Sequence, residues 1–259
     1  MSLIKFQCPT CGAPMEDSGH GATIRCHYCS TSVVVPQELI AARPAVVAQA
    51  PTSNQGIPTS GNSGSSGVPR QGILYQDNFS DPKSGWEIGK RSGGISTGYE
   101  NGSYRISLSE DDSAWEAYID DDFDDFTVDV EVARIKGPKD TEYGVTCRVG
   151  DDGGYSFWIT GEGYYGICKY YYGETDDDDE EYIVLAEGEA SVLQSGSAFN
   201  KLSATCAGHT LTMFLNGRKV LEAVDNEFSS GDIAMLASTG ESAKGGIDIR
   251  FKNLVVRAP

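Results

Sequence analysis

Between residues 73 and 257 the chain is a succession of short β-branched and aromatic runs broken by glycine, asparagine and aspartate. Nowhere does it sustain the apolar spacing of a helix, which favours short strands and turns over a helical bundle. Candidate strands are 73–79, 94–99, 103–108, 114–119, 126–135, 142–149, 155–160, 164–172, 182–186, 200–207, 210–215, 218–224, 231–237 and 246–257. Asn216-Gly217 between Leu215 and Arg218 is a clear hairpin signal, because both residues of such a turn need positive φ. So many short strands joined by tight turns predict a mainly β protein whose residues 73–259 form a two-sheet antiparallel sandwich. The closing run alternates apolar and polar residues through Phe251, then becomes continuously apolar, and is expected to pair with the first strand.

The first thirty residues follow another rule. Cys8-Pro-Thr-Cys11 and Cys26-His-Tyr-Cys29 are two Cys-x-x-Cys pairs with 14 residues between Cys11 and Cys26. Two residues between ligands let a tight turn aim both thiolates at one ion, and two such turns complete a tetrahedron. Four thiolates leave zinc no open position, so a zinc held by Cys8, Cys11, Cys26 and Cys29 is structural, supporting a segment too small to bury a core of its own. A redox dithiol competes with this reading, but the motif is doubled and no βαβ pattern surrounds it. The flanking Cys8-Pro-Thr-Cys-Gly-Ala-Pro14, Ala22-Thr-Ile-Arg-Cys26 and Thr31-Ser-Val-Val-Val-Pro36 resemble bacterial zinc ribbons, which sets the expected domain at 1–36. Residues 37–72 lack aromatics and are rich in Pro, Gly, Ser, Asn and Ala, the composition of a flexible tether.

Charge narrows the partners. The net charge is −18; residues 1–72 hold four basic and three acidic side chains, leaving 16 basic and 35 acidic groups, a net of −19, for the rest. Such a sandwich repels a phosphate backbone, so no nucleic acid is expected on it. The most apolar stretch, 39–50, is interrupted by Arg43 and Pro44 and falls short of the roughly 20 residues a membrane span needs. The start of the chain has no apolar signal core, and the expected location is the cytoplasm. Cys147, Cys168 and Cys206 are dispersed in strand contexts and read as buried thiols rather than a disulfide framework.

Several stretches of the large region, in order, resemble the concanavalin A-like lectin and glucanase superfamily, in particular its laminin-G-like branch and the bacterial domains related to keto-disaccharide hydrolases. They are Asp77-Asn-Phe-Ser80 with Trp86, Gly102-Ser-Tyr-Arg-Ile106, Phe126-Thr-Val-Asp-Val-Glu131, Tyr143-Gly-Val-Thr-Cys-Arg148, Tyr155-Ser-Phe-Trp-Ile159, Asn200-Lys-Leu202, Leu215-Asn-Gly217 and Ser230-Gly-Asp-Ile233. The resemblance implies a jelly roll and suggests saccharide or protein binding, since one fold hosts many functions. Glycosidases need two carboxyls flanking one bond. Asp129-Val-Glu131 is the nearest match to the family's acidic strand, but Arg134 and Ile135 stand where a third carboxylate is required, so the expectation leans away from an enzyme. The acidic runs 120–125 and 176–181 could offer oxygens to calcium, yet a calcium site needs spaced ligands around a fixed loop, and solvated loops are the expectation.

Aromatic residues supply the remaining candidates. Alternation along 155–160 puts Tyr155, Phe157 and Ile159 on one face and Ser156, Trp158 and Thr160 on the other. Trp158 is then free to stack on a sugar, with Arg148 near it by the same parity and Tyr164, Tyr170 and Tyr172 on the next strand; the competing reading is that these rings merely cover the sheet. The leading expectation is a non-enzymatic binding or adaptor protein for a protein or glycan partner. Carbohydrate recognition proper and a degenerate glycoside hydrolase are the alternatives.

Overall fold

The structure is a computed structural model in which the described residues are 4–7, 9, 14–17, 23–25, 32–34, 72–110, 114–172, 181–189, 191–194, 196–239 and 245–259. The chain divides into two units, Met1–Gln71 and Gly72–Pro259. In the first, β1 (Ile4–Gln7) pairs antiparallel with β2 (Pro14–Asp17), and β3 (Thr23–Arg25) with β4 (Ser32–Val34). Cys8, Cys11, Cys26 and Cys29, the tether below residue 72 and the acidic residues 176–180 lie outside the described residues.

The second unit contains β5 (Ile73–Asp77), β6 (Gly89–Lys90), β7 (Ser96–Tyr99), β8 (Tyr104–Leu108), β9 (Ala114–Phe123), β10 (Phe126–Lys136), β11 (Glu142–Val149), β12 (Gly153–Thr160), β13 (Tyr164–Tyr171), β14 (Glu181–Glu189), β15 (Asn200–Ala207), β16 (Thr210–Leu215), β17 (Arg218–Val224), β18 (Gly231–Ser238) and β19 (Ile247–Arg257). They form two antiparallel sheets. One has nine strands, ordered β17-β16-β15-β10-β19-β8-β7-β6 with β5 also on β19; the other has six, ordered β14-β13-β12-β11-β18-β9. Phe126, Val128, Val130 and Val132 of β10 and Ile247, Ile249 and Phe251 of β19 belong to the same buried core cluster as Tyr143, Val145 and Cys147 of β11 and Tyr155, Phe157 and Ile159 of β12. Among the described residues no helix is long and apolar enough to cross a membrane.

Local chemistry explains the sequence patterns. The change of rhythm after Phe251 is a β-bulge: Asn253 has φ 51°, the pairing with β10 slips there, and Phe251 and Leu254 consequently both face the core. The expected pairing of the last strand with the first is present, Val256 opposite Tyr75 and Leu254 opposite Asp77; beside it the Ala258 N–H donates to the Gly72 carbonyl at 2.7 Å. In Asp77-Asn-Phe-Ser80 the aspartate is a clamp, accepting the Phe79 N–H at 2.7 Å and the Trp86 indole N–H at 2.9 Å.

One expectation needs correction, and one strand has no counterpart among those expected. The first acidic run is not wholly a loop, because β9 continues to Phe123, whose ring reaches the core and holds the strand down. Only Asp124 and Asp125 form the turn into β10, and Asp125 accepts hydrogen bonds from Arg148 and from the Gly208 N–H. The two-residue β6 had no signal, being too short to show a period.

Candidate functional site

The six-stranded sheet turns one face to the core, and its other face carries the site. Glu116, Leu236, Gly144, Trp158, Gly166 and Glu187 stand in register across its six strands. Strand alternation sends Tyr155, Phe157 and Ile159 inward, all fully buried, and leaves Trp158 outside, as expected. Glycines flank Trp158 on both sides. A Cβ at Gly166 would lie 2.4 Å from Cζ2 and 2.6 Å from Cε2 of Trp158, so the indole lies flat across the β13 backbone where no side chain intervenes. Its Nε1–H donates to Cys168 Sγ at 3.2 Å, which sets the in-plane orientation of the ring.

Trp158 and Tyr164 line one cleft of about 530 Å³ with Glu142, Thr160 and Glu187. This volume is in the range of small-ligand sites. Tyr164 is 46% exposed, and its N–H donates to Thr160 Oγ1 at 3.2 Å, which fixes the turn that presents it beside Trp158. Burial raises the Glu142 carboxyl above its ordinary range.

Tyr170 and Tyr172 belong to a second cluster on the same face. The Tyr170 hydroxyl donates to Glu116 Oε1 at 3.1 Å and the Tyr172 hydroxyl to Oε2 at 3.0 Å, while Tyr118 also donates to this carboxylate. Burial pushes the Glu116 carboxyl up against the pull of these hydroxyls. Burial, with the adjacent carboxylate, raises all three tyrosines, which therefore stay protonated donors. Tyr182 stacks on Tyr170 at 5.9 Å between centroids. Glu116 sits on β9 and Tyr170 on β13, with three strands between; at about 4.8 Å per strand their backbones would be roughly 19 Å apart on a flat sheet. Their hydrogen bond shows that the face curls over itself along that diagonal, as a twisted sheet does.

Arg148 is elsewhere, and this corrects the parity argument. Its φ is 52° at a slip in the β11–β18 pairing, which breaks the alternation that would place it beside Trp158. The side chain is 1% exposed and binds the Asp124 carbonyl (3.0 Å), the Gly208 carbonyl (2.9 Å), the Phe228 carbonyl (3.0 Å) and Asp125 Oδ1 (2.9 Å). It ties connections together rather than offering itself to a ligand.

Asp129 and Glu131 lie on β10, in the nine-stranded sheet. Asp129 is held by Arg257 at 3.0 Å and Lys201 at 3.4 Å and by the Ser203 hydroxyl, and Glu131 accepts from Asn253 at 3.1 Å. A register slip separates the two. Cys147, Cys168 and Cys206 are buried free thiols. Among the described residues no group of three or more His, Cys, Asp or Glu is placed to hold a metal ion.

Sequence reasoning missed Glu116, Glu142 and Gly166. For Gly166 a signal existed, since glycine inside a strand marks a close approach; Glu116 depends on partners four strands away, which spacing does not reveal.

No family model matches the sequence, and no curated protein matches it. Solved structures do share its fold. The β-glucanase of Bacillus licheniformis is 13% identical, with a TM-score of 0.50 over 73% of this chain and 100% of that one. A β-1,3-1,4-glucanase (lichenase) from a mouse hindgut metagenome is 14% identical, with a TM-score of 0.51 over 71% and 99%. A structure from a report on endo-acting O-glycanases of the human gut microbiota is 9% identical, with a TM-score of 0.52 over 72% and 99%. The second unit thus shares the antiparallel β-sandwich fold of these structures.

Proposed function

We propose that the sandwich is a non-catalytic saccharide-binding module whose platform is Trp158 with Tyr164. The observation that carries this reading is the Trp158 indole laid flat on Gly166 inside a cleft, since an amphipathic ring held in one orientation suits the apolar face of a pyranose. Two of the solved structures of this fold are named β-glucanases, which directs the first test to β-glucan oligosaccharides. Asp129 and Glu131, the nearest match to a hydrolytic pair, lie on the other sheet with structural partners, which favours binding over turnover. Titration of the full chain with oligosaccharides of several linkages tests the reading: saturable heat for at least one, lost in Trp158→Ala with an unchanged melting temperature, supports it. Binding unaffected by Trp158→Ala would overturn it, and hydrolysis of the same sugars would move the protein to the enzymatic alternative.

Cys8, Cys11, Cys26 and Cys29 are proposed to hold one structural zinc. Each Cys-x-x-Cys pair falls in the connection of a two-stranded hairpin, the first between β1 and β2 and the second between β3 and β4, the arrangement a four-thiolate site requires. Zinc would supply cross-linking only.

A further inference from the structure

Five carboxylates, Asp140, Glu142, Glu162, Glu187 and Glu189, surround the Trp158–Tyr164 cleft. Elsewhere the protein gives its buried and partly buried acids partners, cations for Asp129 (Lys201 and Arg257), Asp225 (Lys169) and Asp248 (Arg105 and Arg250), and hydrogen-bond donors for Asp77 and Glu116, whereas at the cleft Glu142 is partly buried and the other four carboxylates are exposed at the rim. Among the described residues none of the five carboxylates forms an ion pair. Nor are they placed as a metal-binding group. Burial raises the Glu142 carboxyl, and among the described residues no cation forms an ion pair with it. A cleft of this kind lacks one thing, a positive charge brought by the ligand.

We infer that the cleft selects saccharides bearing a free protonated amine over neutral and anionic ones. The inference rests on the saccharide reading above and assigns its ligand class. The sugar ring stacks on the indole, while its ammonium group meets the carboxylates, Glu142 and Glu187 first because they flank Trp158 along β11 and across β13. An ammonium group close to the indole face is itself favoured by the ring quadrupole. Uronic or sulfated sugars face five uncompensated negative charges on a domain of net −19 and are repelled. A basic peptide would satisfy the charge and could set a cation over the ring, but it lacks the apolar pyranose face that a flat indole held by Gly166 and Cys168 also suits.

The test uses the full chain at pH 6 and low salt, where such amines are protonated, and compares glucosamine hexamer, N-acetylglucosamine hexamer, cellohexaose and hexalysine by calorimetry. The glucosamine hexamer should bind about tenfold more tightly than the other two hexasaccharides. That preference should shrink toward unity in half-molar salt as screening sets in. Glu142→Gln combined with Glu187→Gln should cut the preference about tenfold while melting at the same temperature. Equal affinity for the glucosamine and N-acetylglucosamine hexamers overturns the inference and leaves the saccharide reading standing. Hexalysine binding as tightly as the glucosamine hexamer, and insensitive to Trp158→Ala, overturns it in favour of a basic peptide. Failure of all three hexasaccharides to bind overturns both.

Discussion

Arg148→Met removes one side chain from the point where three connections meet. Its guanidinium holds the β9–β10 turn through Asp124 and Asp125, the β15–β16 hairpin through Gly208, and the β17–β18 crossover through Phe228. The first and third of these cross between the two sheets, and the second caps two strands of the nine-stranded one. Hydrogen bonds from a charged donor contribute about 1.5–3 kcal/mol each, and four do not add, because some freed carbonyls regain water. Asp125 is 54% exposed, so its ion pair alone contributes at most about 1 kcal/mol. Breaking the whole arrangement should cost about 3–5 kcal/mol, a large part of the roughly 5–15 kcal/mol that holds a domain together. The three tryptophans, Trp86, Trp115 and Trp158, all lie in the second unit, so fluorescence-monitored urea unfolding reports on it directly. With a slope of about 2 kcal/mol per molar, the midpoint should fall by about 2 M in Arg148→Met, by less in Arg148→Lys, and by under about 0.5 M in Asp125→Asn. An Arg148→Met midpoint within about 0.5 M of the parent, or equal losses in Arg148→Met and Asp125→Asn, would refute the reasoning.

Gly166→Val drives a side chain into the indole and should abolish oligosaccharide binding at least as fully as Trp158→Ala, measured by calorimetry beside a melting curve. Glu116 has a raised folded-state pKa, so its contribution is complete below the unfolded carboxyl value near 4.5 and is lost as pH rises through the folded one. Melting temperatures should therefore favour Glu116→Gln over the parent increasingly from pH 4.5 upward, and a pH-independent difference would count against this. Burial raises the Asp129 and Asp248 carboxyls, but Ser203, Arg257 and Lys201 for the first, and Arg250 and Arg105 for the second, outweigh it and hold both below their ordinary range. Their stabilisation is present above about pH 4 and lost as pH falls through the folded values; Asp248→Asn should flatten that acid limb in pH-jump unfolding. Metal analysis should find one zinc equivalent per chain, absent from the Cys26→Ser, Cys29→Ser double variant.

Where the fold could be read from sequence, one face of each strand carried the information. Tyr155, Phe157 and Ile159 alternate with Ser156, Trp158 and Thr160, and the first three are fully buried while Trp158 stays partly exposed; the small Ser156 and Thr160 are covered on the outer face. Strands β15, β16 and β17 have the bounds that their turns imply, because Gly208 and the Asn216-Gly217 pair adopt the left-handed conformations their composition favours. Alternation fails at bulges. Arg148 is not glycine, yet it takes a positive φ because its side chain finds four partners there, all distant in sequence. The same limit hides Glu116, whose tyrosines converge only because the sheet curls. Trp158 was legible as an outward ring, but its fixed orientation depends on Gly166 and Cys168 from the neighbouring strand.

The pairing of β5 with β19 also has a mechanical meaning. Because Gly72 and Ala258 face each other at one end of that antiparallel ladder, tension between residues 72 and 258 opens the rungs one after another, as a zipper opens, rather than shearing them together. The sandwich should yield at low force, beginning with Ile73 and Arg257, long before the interior strands β10 and β11 bear any load.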